Sequence, residues 1–188
     1  YSEPAASSSV EVIFTLLDFS EHELVITDSE ATWMLLGIVV DTNNFVYRTT
    51  SRTFNVLADL QAFGADMSKA QRFLRENFEE YVKRNAVLNK LEVIEGGYGI
   101  AVCDDEIYER SFLAKIADNI ISVNNIKVAF CIGRISKDGV GISARSLDEA
   151  NVQIIMERLG GGGHYNNAAT QLHGITKEEA RLKLIDEL

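Results

Sequence analysis

Apolar and polar positions along this chain follow two different periods, and the change comes near the middle. In the first ninety residues the spacing is helical. Val12, Ile13, Leu16 and Leu17 share one face behind a Ser8-x-x-Glu11 pair, which predicts a helix over 7–19 opened by a capping box. Asp28 or Ser29 caps a second helix over 30–39 that is apolar nearly all round, which predicts full burial. Ser51 caps a third helix that runs to Phe63 and is ended by Gly64. Ser68 opens a long helix to about Leu91, marked by Phe73, Phe78, Tyr81, Val82, Leu88 and Leu91 and polar elsewhere, as suits a helix bridging two domains. Gly96 and Gly97 then break the pattern.

The second half alternates between the two periods. Strands are predicted over 98–102, 127–135 and 140–144, the last two joined by the hairpin signal Lys137-Asp138-Gly139. Helices are predicted over 107–122 and 147–159, the latter with Asp148 and Glu149 favourably placed near its N-terminus. A short strand closes at 171–173, and Thr176 with Glu179 caps a final helix. The fold class is α/β: a first domain over 1–66, a linker helix over 67–92, and a smaller α/β domain with a mixed sheet over 93–188. The single proline is Pro4, and no internal repeat or low-complexity segment interrupts the chain.

Composition narrows the function. A net charge of −10 over 188 residues argues against a protein that coats long nucleic acid, because phosphate contacts need an excess of Lys and Arg. A small nucleotide needs a local cluster, for which Arg134, Lys137, Arg145 and Arg158 are candidates. The apolar run over 33–40 is too short to span a bilayer. Cys103 and Cys131 sit in apolar strand-like runs and read as reduced core thiols, consistent with a cytoplasmic location. Tyr1 is not an initiator residue and no leader is visible, so the chain reads as part of a longer protein.

The candidate chemistry centres on Gly160-Gly161-Gly162-Gly163-His164. Four glycines strip side chains from a turn, leaving backbone N–H groups free to close around an anion, and such a loop leading into a helix cradles phosphate. His164 reads either as a donor to a phosphate oxygen or as a helix N-terminal residue without a role. Ser143 and Arg145 lie two apart on a strand and so share a side. Arg145 reads as a bidentate phosphate grip or as a surface ion pair. Asp41 ends the apolar helix and opens the polar loop Asp41-Thr42-Asn43-Asn44; it reads as a turn aspartate or as a ligand for a divalent cation. Arg52, among the hydroxyls of Thr49, Thr50, Ser51 and Thr53, is a weaker phosphate candidate. His22 and His173 read as ordinary polar residues.

The strand ending Ser143-x-Arg145, the helix after it and the Gly-Gly-Gly-His string resemble the C-terminal substrate-binding domain of the DHH phosphoesterases. The string GISARSLDEANVQIIMERLGGGGHYNNAATQL over 141–172 is similar to the branch of membrane-anchored bacterial phosphodiesterases that cleave cyclic di-AMP. Upstream, GIVVDTNNFVYRTTSRTF over 37–54 resembles the last metal-ligand motif of that branch's catalytic domain. The resemblance implies a two-cation centre, usually Mn²⁺, with Asp41 as one ligand. It also implies nucleotide binding by Ser143, Arg145, Gly161, Gly162, Gly163, His164 and Asn167, and hydrolysis of cyclic di-AMP to linear pApA. An oligoribonuclease acting on very short RNA, or a non-catalytic nucleotide-binding module, are the alternatives. The family's His-x-x-x-Asp-x-Asp and Asp-His-His motifs do not occur in this chain, whose three histidines are His22, His164 and His173. EPAASSSVEV over 3–12 resembles the stretch that follows Asp-His-His. The expectation is therefore a chain that starts midway through the catalytic domain, is inactive alone and tends to homodimerise over exposed apolar surface. Any membrane anchor of the parent protein would lie upstream.

Overall fold

Hydroxyl and carboxylate caps open the four helices seen among the described residues of the first 76. The computed structural model describes residues 3, 5–20, 25–46, 48–147 and 150–188. The chain separates into two units, Tyr1–Glu76 and Asn77–Leu188. In the first, α1 (Ser9–Asp18) is capped by Ser8, whose hydroxyl accepts the Glu11 N–H. The reciprocal half of the expected capping box is absent: the Glu11 carboxylate instead accepts the Ser7 N–H and hydroxyl, at 3.1 and 2.5 Å. α2 (Asp28–Asp41) is opened by a Thr27–Glu30 box, just upstream of the expected Asp28 or Ser29 cap. α3 (Ser51–Ala62) is opened by a Thr50–Thr53 box rather than by Ser51. Gly64, at φ 88°, ends it in the left-handed region that glycine enters without strain.

Ala31, Leu35, Ile38 and Val39 of α2 join Phe14, Val56 and Leu60 in one apolar cluster. The expectation of full burial for this helix is corrected: Trp33 and Val40 are 54% and 55% exposed. An apolar pattern without direction cannot say which faces find partners, and α1, α3 and α4 cover one side. The single helix expected over 68–91 is also corrected. It is two helices, α4 (Met67–Phe73) and α5 (Phe78–Leu88), with Asn77 starting the second by accepting the Glu80 N–H. The five-residue step from Phe73 to Phe78 departs from helical spacing and marks the break.

In the second unit, β1 (Glu92–Ile94), β2 (Tyr98–Ile107), β3 (Val128–Arg134), β4 (Gly139–Ser146), β5 (Gly162–His164) and β6 (Asn167–His173) form one sheet. The order is β1-β2-β3-β4-β6-β5, with β2 and β3 parallel and the other pairs antiparallel. α6 (Arg110–Ile121) makes the crossover between the parallel strands, as the expected helix there does. α7 (Val152–Arg158) and α8 (Lys177–Ile185) complete the unit, and Thr176 and Glu179 form the expected capping box of α8. Expectations at Asp148 and Glu149, and the reading of His22, fall outside the described residues.

β3 is buried on both sides. Ala129 and Cys131 face α5 and α6, while Val128, Phe130 and Ile132 face α7 and α8. The α6 side is lined with small residues. A Cβ at Gly99, Gly133 or Gly141 would come within 3.0 Å of Ile120, Leu113 or Ile135 respectively. Cys103 and Cys131 are free, buried thiols 3.7 Å apart on this side, as the apolar runs around them predict. Lys177 inserts the ammonium of α8 against β2, donating to the Cys103 carbonyl at 2.6 Å and pairing with Asp105 at 2.9 Å. No helix among the described residues is long and apolar enough to cross a membrane.

Leu184 of α8 is fully buried in the cluster that covers β3. Leu184→Ala should lower the stability of the second unit by about 2–4 kcal/mol. Urea unfolding should show this as a lower midpoint at unchanged slope.

Candidate functional site

The glycine string follows the C-terminus of α7, and its geometry differs from the expected loop leading into a helix. Gly160, at φ 79°, donates its N–H to the Glu157 carbonyl at 2.9 Å, and Gly161 donates to Met156 at 2.8 Å. These two bonds close α7 in a Schellman motif. The Thr170 hydroxyl takes a further carbonyl of the same end, that of Leu159, at 2.8 Å. The next three residues are strand β5, which turns back into β6 with His164 opposite Asn167. His164 is thus a hairpin residue rather than the first of a helix. The Gly160 and Gly161 N–H groups are therefore engaged in capping, and Gly162 lies in the β5–β6 ladder opposite Ala169.

The glycines divide by what surrounds them. A Cβ on Gly161 would run into the Ala169 carbonyl and Thr170, and one on Gly163 into the Asn167 carbonyl and Ala168. Both approaches are well inside 3.0 Å, so these residues are glycine because β5 lies hard against β6. Gly162 has nothing within 4 Å of where its Cβ would sit. Its missing side chain keeps open a cavity of about 340 Å³, lined on one side by Gly160–Gly162.

Strand β4 brings Ser143 to this cavity, β6 brings Thr170 and Gln171, and the first turn of α6 brings Arg110 and Leu113. Ser143 is 6% exposed, and its hydroxyl makes no hydrogen bond to another described residue. Arg145 shares its side of β4 but does not line the cavity. It pairs with Asp118 of α6 at 2.6 Å and donates to the Ala144 carbonyl at 2.9 Å. Gly163, His164 and Asn167 are exposed on the hairpin outside the cavity wall. The other cationic candidates do not converge on it. Arg134 and Lys137 line a separate cavity of about 270 Å³, and Arg158 pairs with Glu187 at 3.4 Å. His173, the last residue of β6, is exposed. Arg110 and Gln171 were not singled out from the sequence. They lie 61 positions apart and belong to no local motif; only the fold joins them, the Arg110 Nη2 donating to Gln171 Oε1 at 2.9 Å.

The first unit holds its own polar cavity, of about 410 Å³, lined by Asp41, Arg48, Glu3 and Ser7–Ser9. Asp41 is the last residue of α2 and is exposed. After it, Asn43, Asn44 and Phe45 all take positive φ, at 47°, 55° and 68°, an unusual run for residues with side chains. Among the described residues no group of three or more His, Cys, Asp or Glu side chains could hold a metal ion. Asp41 by itself does not make a two-cation centre, and the described residues do not fit one.

Beside this cavity Glu11 is fully buried. One carboxylate oxygen accepts from Ser7 and, at 2.9 Å, from Thr53 of α3. The other has no hydrogen bond but lies 3.6 Å from Arg52, which also pairs with Glu3 at 3.7 Å. Arg52 is thereby held by two carboxylates. Burial pushes the Glu11 carboxyl up, but the hydrogen bonds from Ser7 and Thr53 and the Arg52 charge together bring it below its usual 4.5.

Residues 95–188 match the DHHA1 domain. A Bacillus subtilis (strain 168) protein named cyclic-di-AMP phosphodiesterase GdpP is 44% identical over 193 residues, which cover 100% of this chain and 29% of that protein. A membrane protein–large ribosomal subunit bL9 fusion protein of Aster yellows witches'-broom phytoplasma (strain AYWB) is 44% identical over 175 residues, covering 93% of this chain and 20% of that protein. The chain therefore spans less than a third of the length of these curated relatives. The crystal structure of an exopolyphosphatase-related protein from Bacteroides fragilis has the same fold, with a TM-score of 0.85 at 18% identity over 99% of this chain and 58% of that one.

Two predictions follow from the geometry. Gly161→Ala should lower stability by about 1–3 kcal/mol, because the new methyl group meets backbone that cannot swing aside, whereas Gly162→Ala should fold with an unchanged thermal midpoint. A loss of similar size from both variants in thermal unfolding would contradict the division. Glu11, with its carboxyl lowered on folding, contributes stability that is present above about pH 4.5 and lost as pH falls through its lower folded value. Glu11→Gln should therefore be less stable than wild type at pH 7, with the gap closing in denaturant titrations as pH drops below that range.

Proposed function

The chain belongs to the DHHA1 domain family, and from that membership we propose that it is the nucleotide-binding part of a phosphodiesterase that hydrolyses cyclic di-AMP to linear pApA. The observation that carries this reading is the open cavity beside Gly162, which lies within the matched residues and next to the unpartnered Ser143 hydroxyl. The 44% identity to GdpP along the full chain supports cyclic di-AMP as the ligand.

In this reading a ligand phosphate enters between β4 and the glycine turn. The Ser143 hydroxyl donates to a phosphate oxygen, and Gly161 and Gly162 let the phosphate approach the backbone. Gly163, His164 and Asn167 reach the ligand from the hairpin, and Arg145 acts from the strand end, where Asp118 orients it. Hydrolysis belongs to the whole enzyme, with Mn²⁺ as the ion and Asp41 as one of its ligands. The described residues of this chain supply no complete centre, so the chain binds without cleaving.

Calorimetric titration of the 188-residue chain with cyclic di-AMP should give saturable binding, tighter than with cyclic di-GMP or a short RNA. Prolonged incubation with cyclic di-AMP and Mn²⁺ should yield no pApA by chromatography. Absence of binding to any of these nucleotides would overturn the reading; preference for the short RNA would move it to an oligoribonuclease.

A further inference from the structure

The cavity beside Gly162 has two unlike walls, and the electrostatics of each can be read from its helix end. On the glycine side α7 ends, and its last carbonyls carry the negative end of the helix dipole. Gly160, Gly161 and the Thr170 hydroxyl are engaged in capping those carbonyls. That wall holds no cationic side chain. On the opposite side α6 begins. It is 12 residues long, and its N-cap residue Glu109 makes no side-chain capping bond; the Glu109 carboxylate accepts the Ser111 hydroxyl instead. The first residue of α6 is Arg110, which lines the cavity.

Arg110 has no carboxylate partner among the described residues. Its guanidinium is held by a neutral group, the Gln171 amide oxygen, so its charge is left uncancelled. Arg145, by contrast, faces the Asp118 carboxylate at 2.6 Å. Ser143 lines the same cavity as Arg110 and the glycine turn; the residue is 6% exposed, and its hydroxyl makes no hydrogen bond to another described residue. An accessible hydroxyl with no protein partner is free to donate to a ligand oxygen.

We propose that Arg110 is the phosphate-binding cation of this cavity, with Gln171 as the positioning residue that aims it and Ser143 as the second donor. The inference rests on the nucleotide-binding reading above and names the residue that meets the ligand's charge. Arg110 presents a planar fork that matches two phosphate oxygens, and the start of α6 adds positive potential behind it.

The test is calorimetric titration of the full 188-residue chain with cyclic di-AMP at low and moderate salt, using wild type, R110Q, R110K and K115Q. Lys115 lies on the same helix, pairs with Glu80 at 2.6 Å and does not line the cavity. R110Q should bind about ten-fold more weakly or worse and show a flatter salt dependence. R110K should fall between R110Q and wild type, and K115Q should match wild type. Because Arg110 is exposed, R110Q should keep the wild-type thermal midpoint; if it does not, R110K carries the comparison. Wild-type affinity in R110Q, or an equal loss in K115Q, overturns the assignment of Arg110 while leaving the nucleotide reading standing. No saturable binding by the wild type overturns both.

Discussion

Two backbones that approach too closely for a methyl group between them decide the shape of the candidate site. β5 lies against β6 because Gly161 and Gly163 present no Cβ to the Ala168–Thr170 backbone. That contact turns the chain back directly after α7 and places the end of the helix beside β4. The cavity exists because the turn is tight at 161 and 163 and open at 162. The glycine string is therefore three devices in sequence: a left-handed helix terminator, a close strand contact and an unfilled wall.

The opposite wall depends on a second close approach. Glycine, alanine and cysteine on one side of β2, β3 and β4 let α6 lie low on the sheet. Leu113, one turn beyond Arg110, rests on Gly133 and Gly141, and this fixes where the first turn of α6 opens. A larger residue at either glycine would lift the helix and carry Arg110 away from Ser143 and Gln171. Sheet packing and the shape of the cavity are thus set by the same small residues.

Much of this organisation could be read from the amino acids. The caps at Ser8 and Thr176, the strand through Val128, Phe130 and Ile132 and the hairpin at Asp138-Gly139 each rest on local chemistry that survives folding. Ser143 was legible because its strand is. β5 was not, because three residues reading Gly-Gly-His carry no side-chain period. The break between α4 and α5 left only the five-residue step from Phe73 to Phe78 as a sign, set among apolar residues that a continuous helix also accommodates. Arg110 and the buried Glu11 were beyond reach for a different reason: one is among 18 Lys and Arg, the other among 28 Asp and Glu. Only the tertiary fold says which of them lacks a counter-charge and which is removed from water.

The order of elements along the chain bears on how the second unit is made. Phe130, Ile132 and Ile142 are covered partly by Ala180 and Leu184 of α8, more than thirty residues downstream. On the ribosome β2, β3 and β4 emerge well before that cover does. Until α8 has cleared the exit tunnel, one face of these central strands lacks part of its cover and is able to adhere to other nascent chains. Docking of α8 ends that interval, and it brings Lys177 back across 74 positions to the Cys103 carbonyl.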